Sequence, residues 1–192
     1  MESSFLNGNL QKKNLNKGEL RPEIAYLMCC FAELPSQAAV ADPFCGFGSI
    51  PIRLQKNFNC SKIYASDIDK DKIELVQNKI TAGDEPVEVR QADAFEPVHI
   101  PDNSLDAIVT DPPWGLWENI PDIEAFYNKM FESFCRILKP AGTMTILSAR
   151  TAELEAAAKN QGLAIKKSLH TLVNGKKASL YFITYKDMLD KN

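Results

Sequence analysis

Four apolar runs in this chain end in an aspartate: "AAVAD" at Asp42, "KIYASD" at Asp67, "VEVRQAD" at Asp93 and "LDAIVTD" at Asp111. A carboxylate emerging from a buried strand can accept hydrogen bonds from a ligand lying across the strand ends. Taken singly, each acid reads as a turn former or helix cap. Four in succession, the first followed by the glycine turn "DPFCGFGSI", point to one ligand-binding edge. Gly46 and Gly48 permit a tight strand-to-helix turn and let a ligand approach the backbone. The turn lacks the third glycine of the dinucleotide fingerprint and the Gly-Lys-Ser/Thr of a phosphate loop, so neither motif applies. Asp67 stands where a carboxylate accepts both hydroxyls of a ribose, in charge-assisted bonds worth roughly 1.5–3 kcal/mol each. Asp93 is placed to meet the exocyclic amine of an adenine. Together these residues describe a pocket for an adenosine with free ribose hydroxyls.

The acids need a scaffold, and the hydrophobic pattern supplies one. "RPEIAYLMCCFAEL" reads as a helix, with Pro22 in its first turn and Ile24, Leu27, Met28 and Phe31 at helical spacing. Strands and helices then alternate. A helix carrying Ile50, Leu54 and Phe58 follows the glycine turn, and "DKDKIELVQNKITAG" is a helix capped by Asp69 and stopped by Gly83. From Asp122 to Leu138 the residues Ile123, Phe126, Tyr127, Met130, Phe131, Phe134, Ile137 and Leu138 form one continuous apolar stripe. "GTMTILSA" is a fifth strand and "TAELEAAAKNQG" a further helix. The end changes character: "AIKKSLHTLV" and "KASLYFITY" read as two strands joined by an Asn-Gly hairpin. Alternating βαβ units imply an α/β fold whose mostly parallel sheet is covered by helices on both faces. Ligands bind such sheets at the carboxyl ends of the strands, which is where the four acids lie.

The 192 residues suffice for one domain with a full core and are too few for two. Residues 1–16 form a polar segment expected to be disordered in part, and residues 17–192 a single domain. No run of eighteen apolar residues exists and "MESSFLNGNLQKKN" has no apolar signal core, so a cytoplasmic protein without a membrane span is expected. Cys29, Cys30, Cys45, Cys60 and Cys135 form no C-x-x-C pair, and neither His99 nor His170 lies near them in sequence. No metal site is expected, and the cysteines read as buried reduced thiols. A net charge of −3 argues against a strong nonspecific grip on nucleic acid. The groups Lys12, Lys13 and Lys17, Lys166–Lys167 and Lys176–Lys177 read as solvated surface charge, with phosphate-facing patches as the alternative.

The segments "DPFCGFGS", "ASDID", "QADAFEP", "DNSLDAIVTDPPWG" and "RILKPAGTM" together resemble the class I S-adenosylmethionine-dependent methyltransferases, and among these the amino-methyltransferase branch. Within the branch the likeness is to the RNA guanine-N2 methylases usually fused to a THUMP domain. "GELRPEIAYLM" resembles the segment those enzymes carry before the first strand, and the resemblance spans about residues 17–185. It implies a Rossmann-like three-layer sandwich with a seven-stranded, mostly parallel sheet of order 3-2-1-4-5-7-6 and the last strand antiparallel. It implies S-adenosylmethionine as cofactor, bound by Asp42, Pro43, Phe44, Cys45, Gly46, Gly48 and Ser49 of the first loop and by Asp67 and Ile68. Asp93 and Ala94 fall to the adenine, and Arg21 and Pro22 to the neighbourhood of substrate or cofactor.

The resemblance makes "DPPW" the catalytic motif, Asp111, Pro112, Pro113 and Trp114. An exocyclic base amine is a poor nucleophile because its lone pair is delocalised into the ring. Two acceptors holding its two N–H groups, the Asp111 carboxylate and the Pro112 carbonyl, turn that lone pair toward the methyl donor. The prolines stiffen the loop, and preorganised acceptors stabilise the charge developing on nitrogen. Trp114 is expected to stack on the target base, a contact worth about 1–3 kcal/mol, against the few kcal/mol needed to flip a paired base. A single-stranded or looped target lowers that cost. Trp117 reads as packing or loop wall.

The expected function is therefore methylation of a guanine N2 amine in RNA, with transfer RNA as substrate. The family usually carries Tyr or Phe where this chain has Trp114. Adenine-N6 methylases of messenger RNA share Asp-Pro-Pro-Trp but place the cofactor loop after it, whereas here Asp42–Ser49 comes first. Some DNA adenine methylases share this order, so an adenine-N6 nucleic-acid methyltransferase is the alternative. Glutamine methylases of release factors carry Asn in place of Asp111, which ranks a protein substrate lower. The acidic balance and missing RNA-binding module leave a second alternative, an idle cofactor-binding subunit, or an enzyme whose protein partner delivers the RNA.

Overall fold

The computed structural model describes residues 15–80, 86–116 and 119–186. Gly83 and Trp117, and the helix stop and loop wall expected of them, lie outside the described residues. Strands β1 (Ala38–Asp42), β2 (Cys60–Asp67), β3 (Val87–Gln91), β4 (Leu105–Thr110), β5 (Leu138–Ser148), β6 (Leu163–Val173) and β7 (Lys176–Tyr185) form one sheet of order β3-β2-β1-β4-β5-β7-β6. The first five pair in parallel, and β7 runs antiparallel to both β5 and β6. This is the order and orientation that the sequence led us to expect.

Side-chain alternation along the central strands divides the core in two. Ala41, Ile108, Met144 and Ile146 face α4 (Ile123–Ile137) and α5 (Thr151–Asn160), while Val40, Ala107, Val109 and Leu147 face α1 (Pro22–Phe31) and α2 (Ser49–Asn57). Helix α3 (Lys70–Lys79) packs Ile73 and Val76 on Ala65 of β2. The stripe on α4 does what its period demands: Tyr127, Met130, Phe131, Phe134 and Ile137 are fully buried. Each such side chain contributes about 1.5–3 kcal/mol, which sets this helix rigidly beneath the ends of β4 and β5.

Local chemistry fixes the element starts. Asp69 accepts from the amides of Asp71 and Lys72, and Asp122 from that of Ala125, so both act as N-caps. Asn174 (φ 49°) and Gly175 (φ 78°) close the β6–β7 hairpin in the doubly left-handed turn that matches strand twist.

Three expectations change. Strand β5 begins at Leu138, directly after α4, earlier than the "GTMTILSA" core of the run. The cysteines are free, but only Cys29 and Cys45 are buried, Cys30 is exposed, and Cys60 and Cys135 are half-buried. Lys167 is more than solvated charge: its ammonium sits 4.4 and 4.8 Å from the ring centroids of Phe31 and Phe182 and pairs with Glu33.

Candidate active site

The parallel strands β1, β2 and β4 bring three of the four acids to one rim. Asp42 ends β1 and Asp67 ends β2, paired strand to strand through Asp42 and Ala65, while Asp111 immediately follows β4. β3 stops at Gln91, so Asp93 stands two residues past its end, exposed, and its Oδ1 accepts from the Phe95 amide at 2.9 Å. Ala94 is buried and its carbonyl accepts from Ser133 Oγ at 2.8 Å, which ties this turn to α4.

The glycine loop is held from below and left open above. Asp67 uses both oxygens to shape it: Oδ2 accepts from the Gly46 amide at 2.9 Å and Oδ1 from the Asp69 amide at 3.0 Å. Cys45 donates its amide to Ser66 O, and Lys79 Nζ donates to Phe47 O at 3.0 Å. The side chains of Phe44 and Cys45 turn inward. Phe44 packs on Phe95, Phe126 and Phe134, and Cys45 on α3, its thiol pushed well above the usual range by burial and by the charges of Asp42 and Asp67. Gly48 (φ +84°) is both left-handed and crowded, since a Cβ there would lie 3.0 Å from a Val76 methyl and force that side chain to shift. Gly46 (φ +51°) is different: a Cβ would meet nothing within 4 Å, so the loop opens onto free space at that point. Ser49 Oγ donates to Leu20 O at 2.8 Å, placing Arg21 and Pro22 beside the loop.

Asp42 is the electrostatic centre of the rim. It is 1% exposed, accepts from Thr110 Oγ1 at 2.7 Å and from the Phe44 amide at 3.4 Å, and among the described residues neither it nor Asp67 forms a salt bridge. Burial pushes its carboxyl up to about 8, with the like charges of Asp111 and Asp67 adding to the shift and the two hydrogen bonds opposing it. Acids crowded under an open glycine loop are complementary to a cation. Ile68, directly after Asp67, is 69% exposed and offers an apolar face at the same rim. The donor set fits a cationic adenosine derivative such as S-adenosylmethionine.

The "DPPW" loop is pinned at successive points. Trp114 Nε1 donates to Asp111 Oδ1 at 3.0 Å and to Leu147 O at 3.2 Å. Arg150 Nε donates to Trp114 O at 3.0 Å, and Tyr127 OH reaches Pro113 O at 3.5 Å and Ser148 Oγ at 2.9 Å. The Tyr127 phenol is raised to about 12 by burial, so it stays a neutral hydrogen-bonding group. Trp114 corrects the sequence reading. The residue is 3% exposed and belongs to the buried cluster that holds Leu147, Val173 and Leu180, which leaves no open ring face for a base to stack on. The indole is a core group that orients the acid.

Sequence reasoning missed Thr110, Tyr127, Ser148 and Arg150. Thr110 had a signal, a hydroxyl inside an otherwise apolar strand next to the motif. Tyr127 was hidden in an apolar stripe, and nothing in the local pattern of Arg150 points to a carbonyl 36 positions away.

A seven-stranded sheet of this order, with acids and a glycine loop on its carboxyl rim, defines an α/β methyltransferase fold. The chain belongs to the UPF0020 family (RMKL-like, methyltransferase domain), whose model matches residues 11–179, and it is thereby an S-adenosylmethionine-dependent methyltransferase domain. It is similar to the U6 snRNA (guanine-N(2))-methyltransferase THUMPD2 of Bos taurus, 28% identical over 131 residues, 67% of this chain and 25% of that protein. It is also similar to the tRNA (guanine(6)-N2)-methyltransferase of Thermus thermophilus, 27% identical over 171 residues, 81% of this chain and 50% of that protein. The solved structure of TrmN from Thermus thermophilus superposes with a TM-score of 0.75 at 24% identity, covering 85% of this chain and 48% of that one. The chain thus spans a quarter to a half of the length of these curated relatives. Among the described residues no helix is long and apolar enough to cross a membrane.

Proposed function

We propose that this domain methylates the exocyclic amine of a base in RNA, guanine N2 being the target that the relatives' activities favour and transfer RNA the substrate of two of the three. The observation that carries the reading is Asp111, a carboxylate fixed at the end of β4 beside Pro112 and oriented by the Trp114 indole. With Oδ1 anchored by that indole, Oδ2 and the Pro112 carbonyl are the two acceptors we assign to the N–H groups of the amine. Hydrogen bonds reach the carbonyls of Pro113 and Trp114 from Tyr127 and Arg150, so the loop is held at the two residues that follow Pro112. Two fixed acceptors hold the lone pair out of the ring plane, and they stabilise the positive charge growing on nitrogen without reorganising at the moment of reaction.

On the cofactor side, Asp42, the Pro43–Ser49 loop, Asp67 and Ile68 hold S-adenosylmethionine, with Asp93 and Ala94 at its adenine and Arg21 and Pro22 beside the loop. When bound, it supplies an electrophilic methyl group on a sulfonium. The amine nitrogen would bond to that methyl carbon as the carbon–sulfur bond breaks and the sulfur leaves as a neutral thioether, and the N–H proton would pass to Asp111 or to water. RNA is the proposed partner, delivered by a further domain or a partner protein.

Transfer of labelled methyl to undermodified transfer RNA, followed by nucleoside mass spectrometry, tests the reading. N2-methylguanosine that disappears in Asp111→Ala is expected. Label recovered as N6-methyladenosine would move the assignment to adenine. Cofactor binding with no transfer to any extracted RNA would make the domain an idle subunit.

A further inference from the structure

The β6–β7 ribbon runs on past the sheet it belongs to. β5 ends at Ser148, opposite Ser179, whereas the hairpin continues through the pairs Thr171–Ala178, Leu172–Lys177 and Val173–Lys176. Ser148 is the carboxyl end of β5, so the overhang rises on the same rim as Asp111. The start of α1 stands on that rim as well, fastened to the glycine loop through Ser49 and Leu20. Between them lies a cleft of about 360 Å³, within the range of roughly 300–1,000 Å³ common to small-ligand sites. Arg21, Glu23 and Ile24 line one side, and Leu172, Val173 and the Asn174–Gly175 turn the other. Val173, at the floor of the cleft, belongs to the same packed cluster as Trp114 of the "DPPW" loop.

The cleft carries two kinds of unanswered chemistry. Leu172 is 63% exposed, and Ile24 lines the same space. Lys176 and Lys177, both exposed, directly follow the turn that lines it, and among the described residues no salt bridge engages them or Arg21. A nucleotide joins the matching halves, an apolar base face and an anionic phosphate. A partner helix would need a longer apolar trough than Ile24, Leu172 and Val173 provide. We propose that this cleft seats the nucleotide adjoining the target base in a single-stranded stretch of RNA, its base against Leu172 and Ile24 and its phosphates toward Arg21, Lys176 and Lys177. Glu23 offers an acceptor to an amino group on the base edge. The assignment rests on the reading of the domain as an RNA methyltransferase.

The probe is a short fluorescein-labelled single-stranded RNA with one guanine flanked by thiouridine. Irradiation with the full chain is expected to crosslink within 172–175 or 21–24. Leu172→Ser combined with Lys176→Ala and Lys177→Ala changes only exposed side chains. It is expected to weaken RNA binding about tenfold or more and to flatten the dependence of log affinity on log salt by about 0.7 for each phosphate that is no longer neutralised. Its affinity for S-adenosylmethionine in calorimetry is expected to stay unchanged. Crosslinks that map elsewhere, or a triple variant that binds RNA like the wild type, overturn the cleft and leave the methyltransferase reading standing. A wild-type chain that binds S-adenosylmethionine but neither binds nor methylates RNA overturns both.

Discussion

The Trp114 indole N–H lies 3.0 Å from Asp111 Oδ1, so the residue three positions after the acid fixes the orientation of its carboxylate. The same N–H is 3.2 Å from Leu147 O, which makes the bond part of the junction between the "DPPW" loop and β5. A side chain expected to stack on a base is buried instead and donates its N–H to the acid.

Trp114→Phe keeps a buried ring and removes the N–H. Loss of a hydrogen bond to a charged group, about 1.5–3 kcal/mol, is expected to lower kcat by about 10–100-fold. KM for RNA should change little. Steady-state kinetics on one RNA substrate separate the two, and a large rise in KM with kcat preserved would restore the stacking role.

Asp42 gives the apo domain a pH-dependent weakness. Its folded value, about 8, lies above its ordinary 3.8, so the stability it allows is full below about pH 4 and is lost as pH rises through 8. Asp42→Asn removes the ionisation and is expected to stabilise the apo domain at pH 8 by on the order of 1–3 kcal/mol, or about 2–4 °C in Tm per kcal/mol. The gain should vanish near pH 4, and affinity for S-adenosylmethionine should fall. Parallel melting curves for variant and wild type across this range would show that Asp42 is not the group responsible.

The two loop glycines separate stability from binding. Gly48→Ala combines left-handed strain of about 1–2 kcal/mol with overpacking on Val76 of about 1–3 kcal/mol, and should be the more destabilised variant. Gly46→Ala carries the strain alone, because its Cβ would enter open space. It is expected to lose more cofactor affinity than Gly48→Ala loses per kcal/mol of stability, as read by calorimetry beside thermal melts. Unchanged affinity in Gly46→Ala would mean that the open space is not the cofactor cradle.

Tyr127→Phe deletes the hydroxyl that meets Ser148 Oγ at 2.9 Å and approaches Pro113 O. A loss of about 0.5–1.5 kcal/mol in stability is expected, with a several-fold drop in kcat because the loop is less rigidly held. An unaltered kcat at matched folded fraction would leave Tyr127 with a packing role only.

Whereas the sheet order came from the family resemblance, the alternation of strands and helices, the helix stripe on α4, the cap Asp69 and the Asn174–Gly175 hairpin were legible because each depends on neighbours within a few residues or on strict periodicity. So was the gathering of Asp42, Asp67 and Asp111, since βαβ handedness sends successive parallel strands to a common rim. Asp93 falls beyond the strand it was expected to end, because a strand's last hydrogen bond has no sharp marker in sequence.

Residue types and their spacing thus determined the architecture, the acid-lined rim and the motif that could activate an amine. The direction in which Trp114 faces was a tertiary decision: its indole donates to Leu147 O, its side chain joins the buried cluster of β5 and the hairpin, and Arg150 fixes its carbonyl. So was the placement of the hairpin tip beside Arg21. Those partners lie far apart along the chain, and only the closing of the sheet and its two helical layers brings them within bonding distance.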